Sequence, residues 1–377
     1  MLHPATPPVT APLSAHVPTA GRSGRTPDFP PPRVLFVGSF VRAALGSRAI
    51  SEDLAEHLAA SGWSTTLTSR SSARWWRPVD MAFTIARARN RYDVAVVDVY
   101  SGAAFRWAEM TARLLRGVGK PYVTTLHGGS LPVLAAREPR RFRRLVARAA
   151  AVTAPSRYLL ELATRVRPDA TLLPNPIEPS AYPFRLRSSP SPRLVWLRAF
   201  HEQYNPTLAP RVAAALVERH PDIALTMIGP DKDGSEQRVR AVAARLGVAH
   251  RVALPGSVDK HDVPRAIAAG DVFLNTTNVD NSPVSVIEAM ACGLCVVSTN
   301  VGGIPFLLEH ETDALLVPPN DPRAMADAVH RVLTDAALAG RLSANARAKA
   351  ERFGWAEVLP RWEQLLRRLA TERVAHA

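Results

Sequence analysis

Residues 275–293 read NTTNVDNSPVSVIEAMACG, and this stretch decides the fold. The short apolar run before it, residues 272–274, is typical of a buried strand that ends in polar residues. Ser282 is a favourable N-cap with Pro283 at the first helical position, and Gly293 suits the position just after a helix. The pattern therefore predicts a strand, a polar loop and a helix over about residues 283–292.

A second strand follows this helix. Residues 294–298, LCVVS, are apolar and β-branched near the middle, which is typical of a buried parallel strand. The loop before the helix then lies at the carboxyl end of a parallel strand, where open α/β sheets bind phosphorylated ligands. Residues 281–285 bring unpaired amides and the positive end of the helix dipole to that edge. We therefore expect an anion there.

Two carboxylates flank this helix start. Asp280 precedes the cap, and Glu288 lies about one and a half turns into the helix. Carboxylates are poor phosphate ligands but good acceptors for the hydroxyls of a sugar or a ribose. Taken singly, each also fits a structural role, Asp280 as a dipole partner and Glu288 as a solvated surface residue. The surrounding pattern of some forty residues favours the binding interpretation.

Residues 271–319, with this motif and the later VGGIP at 301–305, resemble the donor-site signature of the family 4 glycosyltransferases of GT-B architecture. In that family the first acid holds donor-sugar hydroxyls and the second holds the nucleotide ribose, which implies those roles for Asp280 and Glu288. Asp280 stands where the family usually has Glu. The resemblance also implies retention of anomeric configuration and no requirement for a metal or other cofactor.

The order of elements predicts an α/β fold with two doubly wound Rossmann-like domains facing a cleft. We predict a disordered extension over residues 1–32, a first domain over 33–178, a linker over 179–192 and a second domain over 193–354. By resemblance to the family, the helix over 355–377 crosses back to the first domain.

The first domain alternates strands and helices, and its strand over residues 121–126 ends in His127-Gly128-Gly129. That position is at the ligand edge of a parallel sheet. A lone histidine is more often structural, but the TLHG sequence resembles the family segment whose His faces the donor sugar. We assign His127 to the catalytic site together with Asp280. Asn175, between two prolines, is interpreted as a backbone device of its own turn.

The second domain opens with a strand over residues 193–197 that runs into Arg198. The family holds the donor diphosphate with an Arg here and a Lys at the position that Gln203 occupies. A neutral donor makes a weaker bond to phosphate than a cation does, so Arg198, helix amides and His201 would carry the anion, or the donor site is altered. The predicted donor-binding residues are Arg198, Gln203, Asp280, Asn281, Ser282, Pro283, Val284, Ser285 and Glu288.

Composition limits the partners. The 377 residues are 47% hydrophobic and 21% charged, enough for two cores, and no apolar run approaches the roughly 20 residues that span a bilayer. Residues 1–32 lack the pattern of a signal peptide, so we expect a cytoplasmic protein.

The net charge of +14 comes mostly from Arg, and the clusters at 137–144 and 361–368 fit either an anionic membrane surface or solvated helix faces. No nucleic-acid partner is expected, since no recognition module is present.

Cys292 and Cys295 form a C-x-x-C spacing. Cys292 is predicted at a helix C-terminus, where the dipole opposes a thiolate, so two buried small residues are expected rather than a redox pair.

The sequence therefore predicts a glycosyltransferase that uses a nucleotide diphosphate sugar and an acceptor sugar, glycolipid or small molecule. Three alternatives remain open: a nucleotide-sugar epimerase of the same architecture, a non-catalytic nucleotide-sugar binder, and an adaptor recruited by the basic surface.

Overall fold

A computed structural model describes residues 31–38, 49–68 and 76–375 of the chain. The predicted disordered extension, apart from its last two residues, lies outside the described residues. The described part contains two six-stranded sheets, and every strand pair in both sheets is parallel.

The first sheet has the strand order β2-β1-β3-β4-β5-β6. Its strands are β1 (Val34–Val37), β2 (Thr65–Thr68), β3 (Val94–Val99), β4 (Tyr122–Leu126), β5 (Ala151–Ala154) and β6 (Thr171–Leu172). The accompanying helices are α1 (Ile50–Ala60), α2 (Arg77–Arg87), α3 (Ala103–Gly117), α4 (Leu131–Arg137), α5 (Pro139–Ala147) and α6 (Arg157–Thr164). Strands β1, β3, β4 and β5 are buried along their whole length, because helices cover both faces of the sheet.

The second sheet has the order β12-β11-β10-β7-β8-β9. Its strands are β7 (Arg193–Leu197), β8 (Ala224–Ile228), β9 (Val252–Gly256), β10 (Val272–Asn275), β11 (Cys295–Thr299) and β12 (Ala314–Val317). The helices of this half are α7 (Leu208–Leu216), α8 (Ser235–Arg245), α9 (Val263–Ala268), α10 (Val284–Ala291), α11 (Ile304–Leu307), α12 (Pro322–Thr334) and α13 (Ala336–Glu351). The predicted α/β class with two Rossmann-like domains is confirmed.

The last helix, α14 (Trp355–Ala375), follows α13 of the second half in the chain and packs on the first sheet. Its apolar side, which includes Trp362 and Leu366, is buried with Val34 and Leu58. Trp63 donates its indole N–H to Glu363 of the same helix over 3.1 Å. The helix therefore ties the two halves together.

The predicted linker is ordered by a buried charge cluster. Arg187 and Asp271 both have fully buried side chains and form an ion pair over 3.3 Å. Arg185 and Arg193 bind the same carboxylate, and the Ser191 amide donates to it over 3.0 Å. Burial alone would raise the pKa of Asp271, but these donors outweigh it and hold the pKa below its usual value.

Within the described residues, no helix is both long enough and apolar enough to cross a bilayer.

Candidate functional site

The site is built on the loop between β10 and α10. Helix α10 starts at Val284, and Pro283 is its cap residue with extended backbone angles (φ −68°, ψ 118°) and no side-chain cap bond. The predicted cap, Ser282, lies one residue too early, because its carbonyl instead accepts a hydrogen bond from the Asn175 amide over 3.2 Å. At the other end Gly293 has φ +73° and its N–H bonds the Met290 carbonyl over 2.9 Å, as the sequence predicted for the residue after a helix.

Two glycines after β11 support the loop from below. A Cβ on Gly302 would lie 2.3 Å from the Asp280 carbonyl oxygen, and one on Gly303 would lie 1.8 Å from that of Asn281. The Gly303 N–H donates to the Asp280 carbonyl over 3.0 Å. The close approach of the two backbones explains why glycine is required here.

Asp280 and Arg198 form an ion pair at the centre of the site. Asp280 is 7% exposed, and its other carboxylate oxygen accepts the Asn281 N–H over 2.8 Å. The Arg198 guanidinium lies 4.3 Å from the centre of the Tyr204 ring. Its Nε is buried and has no hydrogen-bond partner among the described residues. Arg198 thus holds a buried, unused N–H at the place where the sequence predicted the diphosphate.

The start of α10 carries further unused donors. Val284 and Ser285 are the first helical residues, so their amides have no acceptor within the helix. The Ser285 hydroxyl is buried and, within the described chain, unpaired. Buried polar groups are nearly always paired in folded proteins, so this cluster of open donors is best explained by a ligand with several acceptor oxygens.

Glu288 lies behind this position rather than on the cavity wall. It is 8% exposed and its Oε1 accepts the Tyr182 hydroxyl over 2.7 Å. Burial raises the pKa of Glu288, and the Tyr182 hydroxyl, Lys260 and Arg198 oppose that rise. Lys260 itself is paired with Asp53 of α1, a contact that joins the two halves beside Glu288.

Gln203 organises the loop with its side chain. Its side-chain amide donates to the Val279 carbonyl over 3.0 Å. Its backbone carbonyl accepts the Asn278 N–H over 2.9 Å. The His201 ring accepts the Gln203 N–H through Nδ1 over 3.1 Å. At this position the chain therefore has a neutral contact that fixes residues 278 and 279, and Gln203 also lines the cavity.

His127 follows β4 and lies on the opposite wall. Its Nε2 donates to Asp98 Oδ1 over 3.0 Å, and its ring stacks on Tyr100 with centroids 5.1 Å apart. The Ser51 hydroxyl donates to the same Asp98 oxygen over 2.6 Å. Asp98 therefore fixes the orientation of the imidazole and leaves Nδ1 as the ring atom not used by this contact.

A cavity of about 320 Å³ separates the two walls. The first half contributes residues 127–130 with Ile50, Tyr100, Ser101 and Asn175, and the second contributes residues 280–282 with Arg198, Gln203, Tyr204 and Val284. The walls touch where Ser156 donates to Asn281 and where Gly129 packs on Asp280; a Cβ on Gly129 would lie 3.0 Å from that backbone. The structure therefore brings His127, Arg198, Gln203, Asp280, Asn281, Ser282 and Val284 to one cavity, with Pro283, Ser285 and Glu288 directly behind them.

Sequence reasoning missed several residues of this site. Asp98 is not among the predicted site residues, although a charged residue near the carboxyl end of a buried strand signals the ligand edge. Asn175 was read as a backbone device, and the structure corrects this, because its side chain reaches across to Ser282. Tyr182, Tyr204 and Ser156 gave no signal, since their partners are distant in sequence.

Cys292 and Cys295 are fully buried, and burial raises the pKa of each thiol to about 12, in agreement with the structural reading. In the described ranges, one group of potential ligands, Asp259, His261 and Asp262, has atoms within 4.8 Å of one another. All three are exposed, and such groups are common without an ion.

Two protein-family models match the chain, one to each half. Residues 46–181 match a model described as glycosyltransferase family 4, and residues 191–335 match one described as glycosyl transferases group 1. Together the two models span most of both domains.

Curated relatives cover the chain in part. A D-inositol 3-phosphate glycosyltransferase from Saccharomonospora viridis is 32% identical over 168 residues, which is 42% of this chain and 39% of that protein. One from Salinispora tropica is 31% identical over 175 residues, 44% of this chain and 36% of that protein. The chain thus matches about two-fifths of the length of these relatives.

Solved structures resemble the chain over nearly its whole length. Sucrose-phosphate synthase from Thermosynechococcus elongatus superposes with a TM-score of 0.75, at 19% identity over 90% of this chain and 100% of that one. Anabaena HepE in complex with UDP gives 0.71, at 17% identity over 89% and 100%. HepE in complex with UDP-glucose gives 0.68, at 16% identity over 92% and 100%. At these identities the likeness is one of fold.

Proposed function

The chain belongs to the family 4 glycosyltransferases of GT-B architecture, and we propose that it transfers a sugar from a nucleotide diphosphate sugar to a hydroxyl acceptor. One observation carries the proposal: Arg198 and the first residue of α10, Val284, line the cleft together with Asp280, and the unpaired Ser285 hydroxyl lies behind them. A diphosphate has the charge and the number of acceptor oxygens to use all of these donors.

In the proposed complex the diphosphate lies against Arg198 and the first amides of α10. Asp280 accepts hydroxyls of the donor sugar, and Glu288 accepts those of the ribose behind it. The donor-binding set includes Asn281, Ser282, Pro283 and Val284, which form the loop and the helix start. Because HepE was solved with UDP and with UDP-glucose, a uridine diphosphate hexose is the first donor to test.

The proposed reaction follows from this placement. The acceptor oxygen bonds to the anomeric carbon as the bond from that carbon to the β-phosphate oxygen breaks, with its electron pair left on the diphosphate. The acceptor proton passes to the departing phosphate oxygen. Arg198 and the helix amides stabilise the charge that develops there without a metal ion. Retention of configuration is the outcome that the resemblance of the 280–293 segment implies.

His127 is proposed to face the donor sugar from the first half. Asp98 holds the Nε2 atom of its ring, and His127 lines the cavity. Closure of the two halves over bound donor would complete the site and exclude water.

Gln203 is neutral, so it adds no second cation to the diphosphate site. Binding of the diphosphate should therefore depend more on Arg198 than it would in a site with two cations. Gln203 positions the loop, because its side-chain amide donates to the Val279 carbonyl. We propose that donor affinity is therefore carried by Arg198 and the helix start, and that the protein is an enzyme rather than a non-catalytic binder.

A thermal-shift panel of nucleotide sugars tests the proposal, followed by product analysis with the donor that it selects. Donor at about 100 times its dissociation constant should add roughly 2.7 kcal/mol to the free energy of unfolding. Transfer to an acceptor is the expected product. Conversion of the donor without any acceptor would identify an epimerase instead, and no shift with any nucleotide sugar would refute the proposal.

Cytoplasmic location, and contact with an anionic membrane through the basic clusters, remain predictions from composition. The exposed Arg140, Arg143 and Arg144 on α5 are the residues that such contact would use.

A further inference from the structure

A second cavity, of about 260 Å³, lies inside the first half next to the donor cleft. Its walls come from the ends of β1 and β3, from Met81 of α2, and from the side of α3 that carries Ala104, Trp107 and Ala108. An engineered apolar cavity of roughly 150 Å³ binds benzene, so this cavity has room for a body of one or two rings.

This cavity shares a wall residue with the donor cleft. Tyr100 lines both cavities, and it stacks on His127. Asp98 lines the second cavity and binds His127 with the same carboxylate. A molecule in the second cavity would thus present its near end to the imidazole and to the sugar position beyond it.

The chemistry of the walls is mostly apolar. Among the described lining residues, the polar side chains are those of Asp98, Tyr100 and Thr111, together with the indole N–H of Trp107. None of the described lining residues is Arg, Lys or His. Asp98 is an anion whose carboxylate already binds Ser51 and His127. A phosphorylated acceptor would meet a carboxylate and no cation among these residues, whereas an apolar body with one hydroxyl would fit.

We propose that the acceptor is an apolar alcohol or phenol of about one or two rings, whose body occupies the second cavity and whose hydroxyl lies at the edge of the stacked Tyr100 and His127 rings, where the two cavities meet. This rests on the proposed function, since the hydroxyl receives the sugar from the donor cleft. It assigns the chain an acceptor class different from the inositol phosphate in the names of its curated relatives.

The first experiment measures binding of 2-naphthol to the full chain by isothermal titration calorimetry, without donor. Saturable binding at one site is expected. Ala104→Leu fills the cavity from α3 and should weaken that binding at least tenfold, since single methylene changes in apolar pockets alter binding by roughly 10–200-fold. Ala103→Leu is the matched control, because Ala103 is exposed on the same helix and does not line the cavity; it should leave binding unchanged.

The second experiment measures transfer with the donor selected by the panel. The value of kcat/KM for 2-naphthol should exceed that for inositol phosphate, and Ala104→Leu should raise KM for 2-naphthol. If Ala104→Leu does not fold, Ala104→Val gives the same test with a smaller side chain.

The proposal would be overturned if 2-naphthol did not bind saturably. It would also be overturned if neither Ala104→Leu nor Ala103→Leu changed that binding. So would transfer only to inositol phosphate or only to lipid in vesicles. Each of these outcomes is compatible with donor binding and transfer, so the acceptor class can fail while the proposed function stands. A panel in which no nucleotide sugar binds would refute the function itself.

Discussion

Replacing Glu288 by Gln should weaken donor binding without lowering the stability of the free protein. The carboxylate is buried, and burial raises its pKa, so its ionised form is disfavoured in the folded chain. Gln keeps an oxygen that can accept the Tyr182 hydroxyl, now at 2.7 Å. The substitution removes a buried charge and keeps its neutral contact.

The sign of the pH dependence follows from the raised pKa. A carboxyl group that binds its proton more tightly when folded stabilises the protein fully below its unfolded pKa, and that stabilisation is lost as pH rises through the folded pKa. Above the folded pKa the wild type has lost it, so Glu288→Gln should melt higher there; below the folded pKa the carboxyl is neutral and the two proteins should melt alike. The advantage of the variant should shrink as pH is lowered toward and below the ordinary Glu value of about 4.3.

Donor binding should respond in the opposite direction. Hydrogen bonds to charged groups contribute about 1.5–3 kcal/mol and neutral ones about 0.5–1.5 kcal/mol, so a neutral amide in place of the carboxylate at the ribose should raise the dissociation constant about tenfold. At a donor concentration of about 100 times the wild-type constant, the ligand stabilises the wild type by roughly 2.7 kcal/mol and the variant by about 1.4 kcal/mol. At about 2–4 °C per kcal/mol, the donor-induced shift in Tm should fall by about half.

Differential scanning fluorimetry with and without donor measures both effects, with Glu357→Gln as control because that carboxylate is exposed on α14. A variant that melts lower than wild type at neutral pH would show that the buried charge is stabilising. An unchanged donor-induced shift would show that Glu288 does not hold the ligand. Either result would refute the reasoning.

Two other substitutions test the framework of the site. Asp271→Asn leaves Arg187 buried without its counter-charge and should cost about 3–5 kcal/mol of unfolding free energy in urea titrations. Because the pKa of Asp271 is lowered, the wild type should lose this advantage as pH falls through that pKa. A variant within about 1 kcal/mol of wild type would contradict the account. Gly303→Ala places a Cβ 1.8 Å from the Asn281 carbonyl oxygen, so the loop must shift and donor affinity should fall at least tenfold by calorimetry, whereas Gly340→Ala, with its nearest neighbour at 3.7 Å, should bind normally; equal affinities in the two variants would contradict the proposed loop support.

Local patterns in the sequence predicted the two sheets and the centre of the site. Buried parallel strands appear as continuous apolar runs, and the loop before α10 combines turn, cap and carboxylate signals within a few residues. Even there the cap moved from Ser282 to Pro283, because the Ser282 carbonyl has a partner in the first half, Asn175. The first half was predicted less completely: α2 and α6 were not identified, although Met81 and Ile85 have helical spacing and both are buried.

Long-range polar pairs account for most of what the sequence could not predict. The Asp98–His127 contact joins the ends of neighbouring strands, and the Arg187–Asp271 pair joins the linker to β10 across most of a domain. Such pairs depend on which strands are adjacent and how the halves meet. The hydrophobic pattern around either partner alone does not reveal which strands are adjacent or how the halves meet.

The central claim is that Asp280 holds the donor sugar while Arg198 and the start of α10 hold the diphosphate. Calorimetry of Asp280→Asn with the selected nucleotide sugar and with its free nucleotide diphosphate tests this most directly. Because the substitution also releases Arg198 from its ion pair, the free nucleotide should bind as well as to wild type or more tightly, and the nucleotide sugar should lose affinity at least tenfold. Equal weakening of both ligands, or of neither, would contradict the account.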